Sequence, residues 1–304
     1  MVMAEAIVQT ALLAVDIGGT SVKTALWRNN GLFCKQHFDT PATWSELLTK
    51  LDAVKDESTA AQGARVTGIA VSLPGSVDTV TGTITGTSAV HYLNAFPVRQ
   101  SMADYFRLPV SLQNDANCAA LAESWLGNAS DVASTVLMIV GTGIGGAIVN
   151  NQQLVTSHDN FAGEFGYMEM TAEGDTLSEL ASPVKMAQHY GQATQQPEIT
   201  GREVFERADK GDFQAQRYVN RLYHWLSVAA YNLIVGLNPD RLLIGGGLSA
   251  REAVIAEIRH RVSAMQERHS AQAIQTEIEP CKYLNDANLI GAVRQFEQEQ
   301  DVAH

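Results

Sequence analysis

Short runs of consecutive apolar residues alternate along this chain with segments in which apolar residues recur every three or four positions. The short runs are typical of buried β-strands, and the longer spacing is typical of amphipathic α-helices. We expect strands at residues 11–15, 22–27, 66–72, 109–113, 135–140, 147–149 and 240–244. We expect helices at residues 44–61, 116–126, 179–189, 201–210, 213–235, 253–267 and 289–300. This alternation predicts an α/β protein.

The order strand, glycine turn, strand occurs twice, first at Asp16 and again at Gly141, about 125 residues later. A chain of 304 residues is also longer than an ordinary single domain. The repeat therefore predicts two related α/β lobes. We expect one lobe at residues 1–114, joined by the C-terminal helix at about residues 289–304. The other lobe is expected at residues 115–288.

Composition and charge argue against several classes of protein. Apolar residues make up 45% of the chain and charged residues 18%, which is ordinary for a soluble protein with a substantial core. The net charge of −12 argues against a nucleic-acid partner or an anionic membrane bound through a basic surface. The three cysteines lie far apart without a CxxC pair, and no apolar run is long enough to cross a membrane. We therefore expect a cytoplasmic protein.

The first glycine segment follows the first predicted strand and combines groups that suit a phosphate. Gly18 and Gly19 let the backbone approach a ligand, while Thr20 and Lys23 supply a hydroxyl group and a cation. Asp16 could hold Mg²⁺ directly or through water. The alternative is a plain hairpin in which these residues serve only the turn.

The second glycine segment, Gly141-Thr-Gly-Ile-Gly-Gly146, has four glycines in six positions after an apolar strand. It lacks the Gly-Lys-Ser/Thr ending of a Walker A loop, so it is not a P-loop. We assign Gly141, Thr142, Gly143 and Gly145 to phosphate contacts. Two such loops on opposite lobes would face each other across a cleft and could grip one polyphosphate, which predicts ATP as the ligand.

A third glycine cluster lies at residues 245–247, between a predicted strand and a predicted helix. A backbone without side chains would let an adenosine ring lie close to Gly246 and Gly247. A plain turn between a strand and a helix is the competing interpretation.

The junction between the strand at 109–113 and the next helix carries Asn114 and Asp115. A sugar hydroxyl that attacks a γ-phosphate needs a carboxylate to accept its proton, which makes Asp115 the candidate base. Asn114 is a candidate contact for a sugar hydroxyl. Taken alone, either residue could simply cap the helix. Two further loops are candidate substrate loops, one at Gly75 and one at residues 162–167, where Glu164 could accept two sugar hydroxyls.

The order of these segments resembles the ROK family (repressors, ORFs and sugar kinases) over about residues 11–296. The matching segments are residues 16–20, 71–75, 113–117, 141–146, 163–166 and 245–247. The resemblance implies the actin-like ATPase fold, with two RNase H-like lobes, ATP and Mg²⁺ as cofactors, and a homodimer. It implies Asp115 as the catalytic base, with sugar contacts on Gly75, Asn114, Asp115 and Glu164.

The chain departs from the family pattern at two places. Most members carry Gly-His and then a cysteine-rich zinc cluster where this chain has Gly166 and Tyr167, and residues 168–182 contain no cysteine. We therefore expect no zinc site. The family's next sugar-binding glutamate directly follows a leucine, whereas here Glu179 lies one residue later, after Leu177 and Ser178. The resemblance implies Glu179 as a further sugar contact.

Within the family, residues 114–118 and 162–168 are similar to bacterial β-glucoside kinases, which phosphorylate the 6-hydroxyl group of a glucose unit. Kinases of free glucose, fructose, allose or N-acetylmannosamine remain competitors. A sugar-responsive transcriptional regulator is the alternative function, but only fifteen residues precede Asp16, and we expect no helix-turn-helix there. The same glycine loops would also fit a non-catalytic sugar sensor or an actin- or Hsp70-like ATPase, although the chain is short for the latter two.

Overall fold

A computed structural model of the protein describes residues 9–157 and 159–302. Within these ranges the chain forms two compact units. The first comprises residues 9–122, 159–160 and 285–302, and the second comprises residues 123–157 and 161–284. The division lies inside the helix that follows Asn114, a few residues beyond the predicted lobe boundary. No helix in the described part of the chain is long and apolar enough to span a membrane.

The first unit is built on a mixed sheet. Its strands are β1 (Gln9–Ile17), β2 (Ser21–Arg28), β3 (Gly31–Asp39), β4 (Ala64–Leu73), β5 (Ser76–Asp78), β6 (Thr83–Thr85) and β7 (Val110–Asn114). Its helices are α1 (Trp44–Gln62), α2 (Val98–Phe106), α3 (Asp115–Leu126), which continues into the second unit, and the C-terminal α9 (Ala287–Val302). The main sheet has the order β3-β2-β1-β4-β7, and β5 pairs separately with β6.

Alternate residues of the sheet pack against helices on its two faces. On one face Leu13 and Val15 join a buried cluster with Leu47 and Leu51 of α1. On the other face α9 packs against β1, β4 and β7. Gly68 is required on that face, because a Cβ atom there would overlap the Phe296 ring. Successive side chains of a strand point to opposite faces of the sheet, so α1 and α9 each cover one face.

The second unit repeats this plan. Its strands are β8 (Ser134–Val140), β9 (Ile144–Asn150), β10 (Gln153–Leu154), β11 (Arg241–Gly245) and β12 (Glu277–Pro280). Its helices are α4 (Leu177–Ala181), α5 (Pro183–Thr194), α6 (Gly201–Asp209), α7 (Phe213–Leu237) and α8 (Glu252–Arg268). The sheet order is β10-β9-β8-β11-β12, and long apolar helices such as α7 bury their inner face in its core.

The two sheets have the same topology, which confirms the predicted internal repeat. In each sheet the first strand pairs antiparallel with the second and parallel with a later strand, and the parallel side is then extended by one more strand. A sheet with this order in both halves is the duplicated RNase H-like arrangement of the actin-like ATPase fold. The expected fold class is therefore confirmed.

Some predicted elements need correction. The helix expected at residues 179–189 is two helices, because Ser182 ends α4 and caps α5 by accepting a hydrogen bond from the Lys185 N–H. Pro183 then occupies the first turn of α5, where its missing N–H costs nothing. The strand expected to return at residue 147 already begins at Ile144. The sequence patterns also missed the strands β3, β5, β6, β10 and β12 and the helix α2.

Candidate functional site

The carboxylate of Asp16 is buried and held by three side chains of the first unit. Its Oδ1 atom accepts hydrogen bonds from the Ser72 Oγ atom at 2.9 Å and from the Asn288 Nδ2 atom at 3.0 Å. The Lys23 Nζ atom lies 3.5 Å from Oδ2. Asp16 stands at the carboxyl end of β1, directly opposite Ser72 of β4. Both oxygens of the buried carboxylate therefore have a partner, and its orientation is fixed. A fixed orientation is what a functional site requires of its side chains.

The turn after Asp16 is a tight hairpin between β1 and β2. The Gly18 N–H donates to the Ser21 carbonyl at 2.9 Å, and the Thr40 hydroxyl donates to the Gly18 carbonyl at 2.7 Å. Gly19 and Thr20 are exposed at its tip. The hairpin predicted from the glycines is confirmed, and its tip is open to a ligand.

Asn114 and Asp115 are hydrogen-bonded to each other at the junction of β7 and α3. The Asn114 Oδ1 atom accepts from the Asn117 N–H at 3.1 Å, so Asn114 does cap α3. Its Nδ2 atom donates to the Gly75 carbonyl at 2.9 Å and to the Asp115 Oδ1 atom at 3.0 Å. Asp115 Oδ1 also accepts from the Ala116 N–H at 2.9 Å. The cap and the functional interpretation are therefore compatible, because the cap fixes the carboxylate of Asp115.

Gly75, the other partner of Asn114, has a φ of +98°, a conformation that residues with a Cβ atom rarely adopt. Asn114 thus ties the carbonyl of the β4–β5 turn to the start of α3. These hydrogen bonds of Asn114 bring together three of the predicted sugar contacts, Gly75, Asn114 and Asp115.

Cys118 lies one turn further along α3 and is fully buried. Burial raises the pKa of its thiol well above the ordinary value, and the nearby charges of Asp16 and Asp115 raise it further. The thiol is therefore neutral, which suits a small core residue rather than a nucleophile. Asp16 and Asp115 lie in the same part of the first unit, because Ser72 pairs with Asp16 on one side and with Gln113 on the other.

In the second unit the glycine turn is shorter than predicted. The Gly141 N–H donates to the Gly143 carbonyl at 2.9 Å, and the Ile144 N–H donates to the Ser178 Oγ atom at 3.0 Å. The turn therefore consists of Gly141, Thr142 and Gly143. Gly145 lies in β9 opposite Ile139, and its assignment to phosphate stays a prediction.

The third glycine segment lies against the end of β8. Gly246 has a φ of +82°, and a Cβ atom on it would overlap the Val140 carbonyl. This close approach brings the backbone at residues 245–247 next to the residue that precedes Gly141. A cavity of about 570 Å³ is lined by Gly141, Gly247, Leu248, Phe205, Arg202 and Arg251. Two of the three predicted ATP-binding segments thus share one mainly apolar cavity of a size that suits a small ligand.

Glu164 is half-buried on the segment after β10. It follows Gly163, whose φ is +92° and whose added Cβ atom would lie 2.6 Å from the Gly146 carbonyl oxygen. Burial raises the pKa of the Glu164 carboxyl group above its ordinary value. A partly desolvated carboxylate is a strong acceptor for ligand hydroxyls.

Glu179 has a local structural task. Its carboxylate accepts hydrogen bonds from the Thr176 N–H at 3.0 Å and from the Thr176 hydroxyl at 3.1 Å, which closes a capping box at the start of α4. The backbone hydrogen bond from Thr176 lowers the pKa of this carboxyl group. Glu179, which lies one residue later than the glutamate of the family pattern, therefore helps to cap α4.

Three residues of the site were missed by sequence reasoning: Ser72, Asn288 and Ser178. Ser72 could have been found, because it is the last residue of the strand predicted at residues 66–72, and that strand pairs with β1 beside Asp16. Asn288 and Ser178 lie far along the chain from their partners and carry no local signal. Among the described residues, no group of three or more His, Cys, Asp or Glu side chains is placed to hold a metal ion.

Comparison with known proteins gives consistent matches over nearly the whole chain. A family model described as the ROK family matches residues 12–299. A β-glucoside kinase of Listeria monocytogenes is 35% identical, over 95% of this chain and 98% of that protein. A β-glucoside kinase of Klebsiella pneumoniae is 31% identical, over 94% of this chain and 96% of that protein. The crystal structure of a ROK family protein from Streptococcus pneumoniae in complex with sucrose superposes with a TM-score of 0.88 at 30% identity, covering 96% of this chain and 99% of that chain.

Proposed function

This chain belongs to the ROK family, and from that premise we propose that it is a kinase that transfers the γ-phosphate of ATP to a sugar hydroxyl. The observation that carries the proposal is the fixed carboxylate of Asp115, held at the β7–α3 junction by Asn114 and the Ala116 N–H. The relatives named as sugar kinases match along nearly their entire length, which favours a kinase over a transcriptional regulator. A non-catalytic sensor would have no need of an oriented base.

Asp115 accepts the proton of the attacking hydroxyl group. A carboxylate performs this step when it is ionised and lies within hydrogen-bond reach of the hydroxyl. The cap of α3 by Asn114 and the hydrogen bond from the Ala116 N–H hold the Asp115 carboxylate in place for this step. Asn114 and the turn at Gly75 position the sugar, and Glu164 accepts further hydroxyls. The assignment of Glu179 to the sugar remains a prediction.

The described residues fit ATP and Mg²⁺. The cavity lined by Gly141 and Gly247 suits the nucleoside. The turns at residues 18–20 and 141–143, which are exposed at Gly19, Thr20 and Thr142, suit phosphate oxygens. Mg²⁺ is typically held by one or two carboxylates together with waters and substrate phosphates, and Asp16 supplies one oriented carboxylate. When bound, the ion neutralises charge on the phosphates. Lys23 and Gly246 complete the proposed nucleotide contacts, and we propose no zinc, because residues 168–182 contain no cysteine.

We propose the 6-hydroxyl of a glucose unit as the acceptor, in a β-glucoside or in a free hexose. A kinase of this kind acts on sugars after uptake, and its need for ATP supports a cytoplasmic location. The family resemblance supports a homodimer.

An ATP-coupled assay across glucose, fructose, N-acetylmannosamine, cellobiose and aryl-β-glucosides tests the proposal. We expect Mg²⁺-dependent turnover on at least one sugar with a glucose unit, lost on chelation and restored by Mg²⁺. Light scattering and elemental analysis of the same preparation measure the dimer and the zinc content. No turnover on any sugar would refute the kinase assignment, and one equivalent of zinc per chain would refute the absence of zinc.

Glu164→Gln tests the sugar-binding carboxylate and has an expected pH signature. Because the folded-state pKa is raised, the folded chain binds this proton more tightly than the unfolded chain does. This group's stabilisation is complete below the unfolded-state pKa and is lost as pH rises through the folded-state pKa. In thermal denaturation, the melting temperature of the glutamine variant should therefore rise relative to that of the wild type as the pH increases above about 4.

The same variant should bind sugar more weakly, with KM raised about 10- to 100-fold, because a charge-assisted hydrogen bond is lost. The control is Glu169→Gln, which changes an exposed glutamate on the same segment. An unchanged KM would exclude Glu164 from the sugar site. A stability difference independent of pH would contradict the raised pKa.

A further inference from the structure

Two large aromatic side chains are exposed beside Glu164. Phe161 is 53% exposed and Tyr167 is 71% exposed. Their ring centroids lie 6.1 Å apart with the planes tilted by 53°. Rings at this distance contact each other and form one continuous apolar surface. Exposed apolar surface next to polar binding groups is typical of ligand sites.

The backbone places Phe161, Glu164 and Tyr167 in one row. The Glu164 N–H donates to the Phe161 carbonyl at 3.2 Å, and the Tyr167 N–H donates to the Glu164 carbonyl at 3.2 Å. Each bond spans three residues, and Phe165–Tyr167 forms a single 3-10 turn. The contact between the two rings agrees with this spacing. Glu164 is therefore joined through its backbone to both ring-bearing residues, whose rings contact each other.

The row stands on a firmly anchored segment. Phe165 is buried against Gly146, where a Cβ atom would overlap its ring. Gly166 lies so close to the Ile144 carbonyl that a Cβ atom would overlap it as well. The Met168 carbonyl accepts a hydrogen bond from the Leu177 N–H at 2.9 Å. Because the residues between the rings are fixed in the core, the rings are presented in a defined place.

We propose that Phe161 and Tyr167 form an aromatic platform that binds a ring-shaped substituent on the anomeric carbon of a β-glucoside. The inference rests on the proposed function, since it takes Glu164 as the acceptor for hydroxyls of the glucose unit. A phenyl ring or a second pyranose has a flat face that packs on aromatic rings. A free hexose has no such substituent and makes no contact with the platform. Tyr167 stands where most family members have a histidine, and its ring adds an apolar surface that favours glycosides as substrates.

The test compares four acceptors that differ only at the anomeric carbon: glucose, methyl β-glucoside, phenyl β-glucoside and cellobiose. In Tyr167→Ala and Phe161→Ala we expect KM to rise about 10-fold for phenyl β-glucoside and cellobiose, with kcat retained. KM for glucose and methyl β-glucoside should change less than about 2-fold, because neither carries a ring to pack. Tyr167→Phe should retain the wild-type KM on all four.

The matched control is Phe213→Ala, because Phe213 is 75% exposed on α7 and lies outside the row. Equal losses on all four acceptors would overturn the platform and indicate a general role of the two rings in the fold. Turnover of glucose with none on the glycosides would overturn the platform while leaving the kinase assignment intact. Absence of turnover on every acceptor in the wild type would instead overturn the proposed function on which the platform rests.

Discussion

Replacing Asp115 by asparagine is expected to lower kcat about 1,000-fold, because the general base is lost. KM for the sugar should change little, since the amide keeps the shape of the side chain and the base acts in the transition state. The fold should be retained, because the amide oxygen can still accept from the Ala116 N–H and from Asn114. Steady-state kinetics with ATP and the best sugar, together with thermal denaturation, measure both parts of the expectation.

Asp56→Asn is the matched control for this variant. It makes the same chemical change on an exposed carboxylate of α1 that pairs with Lys55 at 3.3 Å. We expect its kcat to equal that of the wild type. Near-normal turnover in Asp115→Asn would remove Asp115 from the role of base, whereas a large fall in melting temperature would show that its main task is to hold the start of α3.

Asp16→Asn should lower kcat/KM at least about 100-fold and raise the Mg²⁺ concentration that gives half-maximal activity. The amide oxygen can still accept from Ser72 and Asn288. The amide nitrogen, however, is a donor and would face the Lys23 ammonium group, which is also a donor. The variant thus loses its negative charge and gains an unfavourable contact at the point where the ion would be held.

A titration of activity with Mg²⁺ measures this effect directly. Asp39→Asn, at the exposed end of β3, removes a carboxylate elsewhere in the same sheet and should leave the titration unchanged. If Asp16→Asn loses activity but has the wild-type Mg²⁺ dependence, Asp16 orients other residues and does not serve the ion.

Buried strands and long helices could be predicted from the sequence because their apolar patterns are strong. β1, β4, β8 and β11 each contain a run of four or more consecutive buried residues, and α7 has its buried residues at helical spacing. The segments that were missed are short or bury few residues. β5, β6 and β10 have three residues or fewer, β3 is half exposed along its length, α2 buries only Val98 and Met102, and β12 has Ile278 as its one buried residue. Such an element buries too few residues to leave a recognisable pattern in the sequence.

The candidate site was predictable where a strand end delivers polar residues and unpredictable where distant segments meet. Asp16 and the pair Asn114–Asp115 follow buried strands, so their positions could be inferred from the strands alone. A glycine-rich sequence is harder to interpret, since Gly146 leaves room for the buried Phe165 ring. Glycine can serve close packing as readily as ligand approach, and only the neighbours in space distinguish the two uses.

The position of α9 has a consequence for the order in which the protein is completed on the ribosome. The sheet of the first unit is encoded before residue 115, but the helix that covers one of its faces is encoded at residues 287–302. At ~5–20 residues per second, synthesis takes ~10–40 s to pass from β7 to the end of α9. Throughout that interval Gly68 has no Phe296 ring beside it and Asp16 has no bond from Asn288. All of residues 123–284 emerge earlier, so the unit that begins the chain is the last to be finished.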